Sequence, residues 1–184
     1  MELVWPAREH LPGYVAALKR GWSYNSLRGE AVAREELACI AADADAFLAS
    51  LVDREGKGPR ITLPDGSRVP RLPGYRRWMW DGEFCGSIGF RWQAGTEALP
   101  PWCLGHIGYA VVPWKQRRGY ATAALGAMLR DVRAEGLRYV EITTDPDNAA
   151  SQKVITANGG VFVEEFVTTQ EYGGKRESRY RIFL

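Results

Sequence analysis

Residues 106–121, HIGYAVVPWKQRRGYA, restrict the fold of this chain more than any other stretch. Ile107 to Val112 is a short apolar run of strand character, stopped at Pro113, after which the chain turns polar and basic. Ala121, Leu125, Met128, Leu129 and Val132 then recur at intervals of three and four, which predicts a helix with one apolar face. A strand that passes into a helix through so short a turn gathers unpaired backbone N–H groups at one point. The helix dipole adds partial positive charge there, so the turn is an expected phosphate site. Gly119 leaves the approach open, and Arg117 and Arg118 add charge at its rim.

The rest of the chain supplies a setting for that turn. Its 184 residues suffice for one domain with a buried core, and 46% apolar with 25% charged residues is an ordinary globular balance. A net charge of +2 argues against a general nucleic-acid binder. Cys39, Cys85 and Cys103 are odd in number and form no C-x-x-C, so neither a disulfide framework nor a zinc site is expected, and a reducing cytoplasm fits. The N-terminus has no apolar run of signal length and no segment is long enough to span a membrane, so no membrane role is expected.

In chain order, Leu3 to Trp5 reads as a strand and Pro12 opens a helix carrying Tyr14, Leu18 and Trp22. Leu37 to Leu51 predicts one further helix, with Cys39 packed beside its stripe. Asp65-Gly66 marks a weak hairpin, and Asp81-Gly82 a firmer one between Tyr75–Trp80 and Phe84–Trp92, its tryptophans serving mainly as packing. After the long helix come a strand at Tyr139–Thr143, a helix over 149–157, and a last hairpin of Val161–Thr168 and Ser178–Phe183 around Tyr172-Gly173-Gly174. The fold class is therefore α/β (α+β): one twisted, mostly antiparallel sheet with helices on both faces.

The order strand, Pro, Q-x-x-G-x-A, amphipathic helix is far more specific than a lone R-R-G. It is not the dinucleotide fingerprint, because position 117 is Arg where a glycine is needed, and no G-K-S/T follows to make a Walker loop. It resembles the acyl-CoA motif of the GNAT superfamily of N-acetyltransferases, Q/R-x-x-G-x-G/A, with Ala121 in the last place. Asn148, Ser151 and Gly159 match a second stretch of that family, and the D-x-D-N-x-A-S-x-K-V-I string together with L-P-D-G-S-x-V-P at 63–70 is similar to a bacterial branch of unassigned substrate. The resemblance covers 75–184 as an acyl-CoA-binding core, and 1–74 only by element order, as variable helices and a hairpin of one domain spanning 1–184.

The resemblance implies acetyl-CoA as co-substrate, no metal, and transfer of acetyl to a primary amine of a small molecule or protein. It implies that the strands before and after the long helix splay apart at their ends to admit acyl-CoA, and that the backbone of Tyr109, Ala110, Val111 and Val112 pairs with the pantetheine arm there. It implies likewise that Gln116, Arg117, Arg118, Gly119, Tyr120 and Ala121 hold the pyrophosphate, and that Asn148 and Ser151 line the arm. Asn148 also reads simply as a helix N-cap. N-acetyl transfer needs a neutral amine, hence a base. His106 starts the strand where some members of the family carry theirs, and an unperturbed imidazole titrates near ~6.5; a structural histidine is the equal alternative. Glu97 and Asp145 are weaker candidates. Many members carry a tyrosine seven residues after the Asn to protonate the departing thiolate, but this chain has Ile155 there. That departure keeps a second function open, a CoA-binding sensor or scaffold without turnover. The amine acceptor has no motif, and a homodimer is left open.

Overall fold

The computed structural model describes residues 1–25, 28–63, 65–169 and 173–184. Strand β1 (Glu2–Val4) leads into α1 (Leu11–Lys19), α2 (Glu30–Ala42) and α3 (Ala44–Ser50). The single helix expected over Leu37–Leu51 is two. Asp43 leaves helical geometry, and its carboxylate accepts the Ala46 N–H at 2.9 Å, capping α3. Apolar periodicity continues across the break, so it hid the cap. Cys39, expected beside the stripe, is exposed.

Short strands β2 (Val52–Asp53), β3 (Ile61–Thr62) and β4 (Arg68–Val69) precede the main hairpin, β5 (Gly74–Trp80) and β6 (Phe84–Arg91), followed by β7 (Ile107–Val111). Strand order in this sheet is β1-β5-β6-β7, all antiparallel, with β2 also on β5; β3 and β4 pair only with each other. A 3₁₀ turn at Pro113–Lys115 then feeds α4 (Tyr120–Val132). Strand β8 (Tyr139–Thr144), α5 (Ala149–Ala157), β9 (Val161–Val167) and β10 (Arg176–Phe183) complete the chain, the strands ordered β8-β10-β9. The turn expected at Tyr172-Gly173-Gly174 lies partly outside the described residues.

Helices cover both faces of the larger sheet. Leu11, Tyr14, Leu18 and Phe47 pack with Trp78, Phe84 and Val112 on one side. Leu125, Met128, Leu129 and Val132 of α4 pack with Met79, Ile88, Phe90 and Ile155 on the other. Phe84 and Ile88 would share a face in a regular strand, yet they serve opposite clusters. A register shift opposite Met79 and Trp80 flips the phase, with Gly86 at φ +153° inside the irregular stretch. A Cβ on Gly86 would lie 2.3 Å from the Ala110 carbonyl oxygen, so only glycine lets β6 pass this close to β7.

The one sheet expected from the strand order divides between β7 and β8, the strands that the family resemblance has splaying apart. No ladder joins those strands among the described residues; β7 ends one sheet and β8 begins the next. The two strands touch at a junction, where the His106 N–H donates to the Glu141 carbonyl at 2.7 Å.

Candidate active site at the fork between two strands

The free edge of β7 follows from its pairing. The Val112 N–H bonds the Cys85 carbonyl and the Arg91 N–H bonds the His106 carbonyl, both at 2.9 Å. Antiparallel alternation then turns the polar groups of Gly108 and Ala110, and the Val112 N–H, toward β6. Those of Ile107, Tyr109 and Val111 point to the side where β8 would lie in a continuous sheet. This corrects part of the pantetheine expectation: Ala110 spends its backbone groups inside the sheet, and Val112 gives its N–H to Cys85 and accepts the Lys115 N–H at its carbonyl, while Tyr109 and Val111 offer theirs to the fork. Gln116 reaches back over that edge, its Nε2 donating to the Val111 carbonyl at 3.4 Å.

The turn after β7 has the geometry of an anion cradle. Arg117 (φ +62°) and Gly119 (φ +75°) both take left-handed backbone, and Gly119 stands at the N-cap of α4 without a side-chain cap. The first bond inside the helix runs from the Ala123 N–H to the Gly119 carbonyl, at 3.0 Å. Tyr120, Ala121 and Thr122 thus have N–H groups without an acceptor within the helix. No atom would lie within 4 Å of a Cβ on Gly119, and Arg117 and Arg118 are exposed beside it.

A charged cluster fixes this turn to the β5–β6 hairpin. Lys115 Nζ lies 3.0 and 3.1 Å from the two Asp81 oxygens and 2.9 Å from Glu83, and the Tyr120 hydroxyl donates to Asp81 at 2.6 Å. The Tyr120 hydroxyl and Lys115 hold the Asp81 carboxyl well below the usual carboxylate range. Lys115 is raised in turn by Glu83 and Asp81. Tyr120, with its proton committed to Asp81, supports the turn through its side chain. Sequence reading took Asp81 only as a hairpin residue. Its partner Tyr120 is 39 positions away, and no local pattern links them.

Across the fork stands α5. Asn148 caps it, its side chain accepting the Ser151 N–H at 3.0 Å. Tyr109 crosses from β7 with its hydroxyl 2.8 Å from Ser151 Oγ and 3.3 Å from the Ser151 carbonyl. Burial raises the Tyr109 pKa. Ile155, one turn further along α5, is fully buried in the core and does not face the fork.

His106 does not meet the requirements of a base. It has no exposed surface, and its Nδ1 already accepts the Glu141 N–H at 2.9 Å. Burial pushes its pKa down to about 4. Glu97 is bound by Arg138 at the opposite end of β8 and lowered to about 2. Asp145 is exposed just past β8 and accepts the Asp147 N–H at 2.8 Å. Beyond it lies Glu177 on β10, which the sequence did not single out. Burial first, then the Asp145 charge, raise its pKa. Among the described residues, no group of three or more His, Cys, Asp and Glu is arranged to hold a metal, and no helix is long and apolar enough to cross a membrane.

Solved structures with this architecture include the microcin C7 self-immunity acetyltransferase MccE in complex with acetyl-CoA and AMP. It is 12% identical, with 99% of this chain and 91% of that chain covered and a TM-score of 0.64. RimL, a ribosomal L7/L12 alpha-N-protein acetyltransferase in complex with coenzyme A, is 16% identical over 99% of this chain and 93% of its own, at a TM-score of 0.62. The Salmonella typhimurium enzyme that modifies the N-terminal serine of the same 50S protein is 16% identical over 99% and 94%, at 0.59. At such identities the likeness establishes the fold. No curated protein matches significantly in sequence. The profile of the acetyltransferase (GNAT) domain matches residues 65–161, from the β3–β4 hairpin to the start of β9 and so across the whole fork. The chain belongs to the GNAT family of acetyltransferases.

Proposed function

We propose that this acetyltransferase takes its acetyl group from acetyl-CoA and delivers it to a primary amine of a small molecule or a protein. The observation that carries the reading is the 116–122 turn, where unpaired N–H groups and two arginines converge beside the free edge of β7. Gln116 to Ala121 would hold the pyrophosphate, with Gly119 leaving room for it. The outward polar groups of Tyr109 and Val111 would pair with the amides of the pantetheine arm, and Asn148 and Ser151 would form the facing wall. Bound acetyl-CoA supplies an activated thioester. The chain's own part is to orient it and to handle protons.

Two groups suit the proton work. Glu177, its pKa raised by burial and by the Asp145 charge, can take a proton from the amine at the β8 end of the fork. Tyr109 carries a half-buried hydroxyl at the fork, where it can protonate the departing thiol in place of the tyrosine that Ile155 replaces. The solved relatives that act on protein α-amino groups fit an amine acceptor. The whole chain is read as one domain, with 1–74 shaping the acceptor side. Its three free cysteines suit a reducing cytoplasm.

Gly119→Asp tests the cradle. The open space accepts the side chain, and aspartate tolerates left-handed backbone, so the variant should fold. A carboxylate in the cradle should weaken acetyl-CoA binding by on the order of a hundredfold in calorimetry. Unchanged affinity in the folded variant would move the cofactor site elsewhere.

A further inference from the structure

We infer that His106 is a neutral clamp that pins β7 to β8 at the point where they part, and so a positioning residue for the acyl-CoA slot; the inference rests on the reading of that slot given above. Strand β8 bonds β10 through its even-numbered residues, as the Leu184 N–H on the Arg138 carbonyl and the paired register show. The polar groups of Glu141 therefore face β7, and both end on His106. The Glu141 carbonyl takes the His106 N–H at 2.7 Å, and the Glu141 N–H goes to Nδ1 at 2.9 Å. β7 and β8 run in the same direction, so in a ladder that holds the His106 N–H on the Glu141 carbonyl, the Glu141 N–H would go to the Leu104 carbonyl, just upstream of β7. The next bond along would take the Thr143 N–H to the His106 carbonyl, which the Arg91 N–H of β6 already holds. Here an imidazole takes the first of these bonds and pins β7 to β8 at the root of the fork; the His106 carbonyl is turned to β6, the ladder stops after one step, and the next outward groups of β7 are left for another partner.

The same geometry fixes the proton. An Nδ1 that accepts an amide hydrogen bond leaves the ring hydrogen on Nε2, and adding a proton to Nδ1 would set two N–H groups face to face. Two charged side chains bear on the ring. From β8, the Glu141 carboxylate is held by Arg179 at 2.8 Å and Arg181 at 2.7 Å, so most of its charge is answered elsewhere. From β6, Arg91 opposes a second cation. His106 is thus a fixed acceptor across the working pH range.

Imidazole ¹⁵N spectra of the wild-type protein give the most direct test, because they require no turnover. The expected result is a neutral ring with its proton on Nε2 from about pH 5 to 8. A His106 that titrates within that window, or carries its proton on Nδ1, overturns the inference. Two variants supply a second reading. His106→Asn keeps an acceptor near the Nδ1 position, whereas His106→Leu fills the space without one. Acetyl-CoA affinity should fall by about tenfold or more in the leucine variant and by clearly less in the asparagine variant, as expected for loss of one buried hydrogen bond. Equal losses in both folded variants would overturn the clamp. Failure of the wild type to bind acetyl-CoA would instead overturn the slot reading, with the spectra still deciding the clamp.

Discussion

At position 155 the family resemblance leads to an expected tyrosine, and the chain has an isoleucine with no exposed surface. Its surroundings decide what the substitution means. A Cβ on Gly160 would lie 2.3 Å from Ile155 Cγ2, so the backbone closes directly over the side chain. Ile155→Tyr should therefore overpack the core and cost about 1–3 kcal/mol, lowering the melting temperature by several degrees in a scanning calorimeter. A variant as stable as the wild type would show that the site is looser than its burial indicates. The proton that such a tyrosine would carry falls to Tyr109 in this account. Tyr109→Phe should lower kcat by on the order of tenfold to a hundredfold and change acetyl-CoA affinity far less. A kcat equal to wild type would leave water as the proton source.

Elements are held to one another by charges that no local pattern reveals, and the turn into α4 is the clearest case. Asp81 on the β5–β6 hairpin gathers Lys115 and Tyr120. Replacing it with alanine strands Lys115 on Glu83 alone and frees the Tyr120 hydroxyl, a loss of about 1.5–3 kcal/mol and of order in the turn. The pH dependence has a definite sign. A carboxyl whose pKa is depressed by folding contributes stability above the unfolded pKa, ~3.9 for Asp, and loses it as pH falls toward the folded value. The stability gap between wild type and Asp81→Asn should be full at neutral pH and shrink below about pH 4. A gap that holds constant down to pH 2 would contradict the charged clamp. Elements whose signal is local were legible: α5 falls on 149–157 as the periodicity and the Asn148 cap indicate, and the strand–turn–helix at 107–132 is where its pattern put it. The break at Asp43 and the phase flip near Gly86 were not. In the first, apolar spacing runs on through a cap; in the second, the need for glycine comes from a carbonyl on another strand.

At the scale of the whole molecule, the two larger antiparallel sheets meet at a junction beside His106 and Glu141, and the division makes the site. Sequence pattern predicted one sheet, because nothing in a strand's own residues says where pairing stops; the splaying of the strands around the long helix came only from the family resemblance. The stop falls at a histidine whose carbonyl is turned to β6 and whose ring holds Glu141 of β8, 35 residues away. For the same reason the sequence left two readings of His106 open: it has the right residue type at the right strand, and burial and an occupied Nδ1 favour the structural one. Glu177, which no motif marks, gains its raised pKa from burial and Asp145. The central claim is acetyl transfer to a primary amine, and the most direct measurement follows free thiol release from acetyl-CoA by the purified wild-type protein, with and without amines. The panel should span polyamines, aminoglycosides, free amino acids and peptides with an unblocked N-terminus. The account predicts thiol release that depends on at least one primary amine, with the acetylated amine found by mass spectrometry in equal amount. Tight acetyl-CoA binding with no amine-dependent release across the panel would contradict it, and would leave a protein that binds the thioester without spending it.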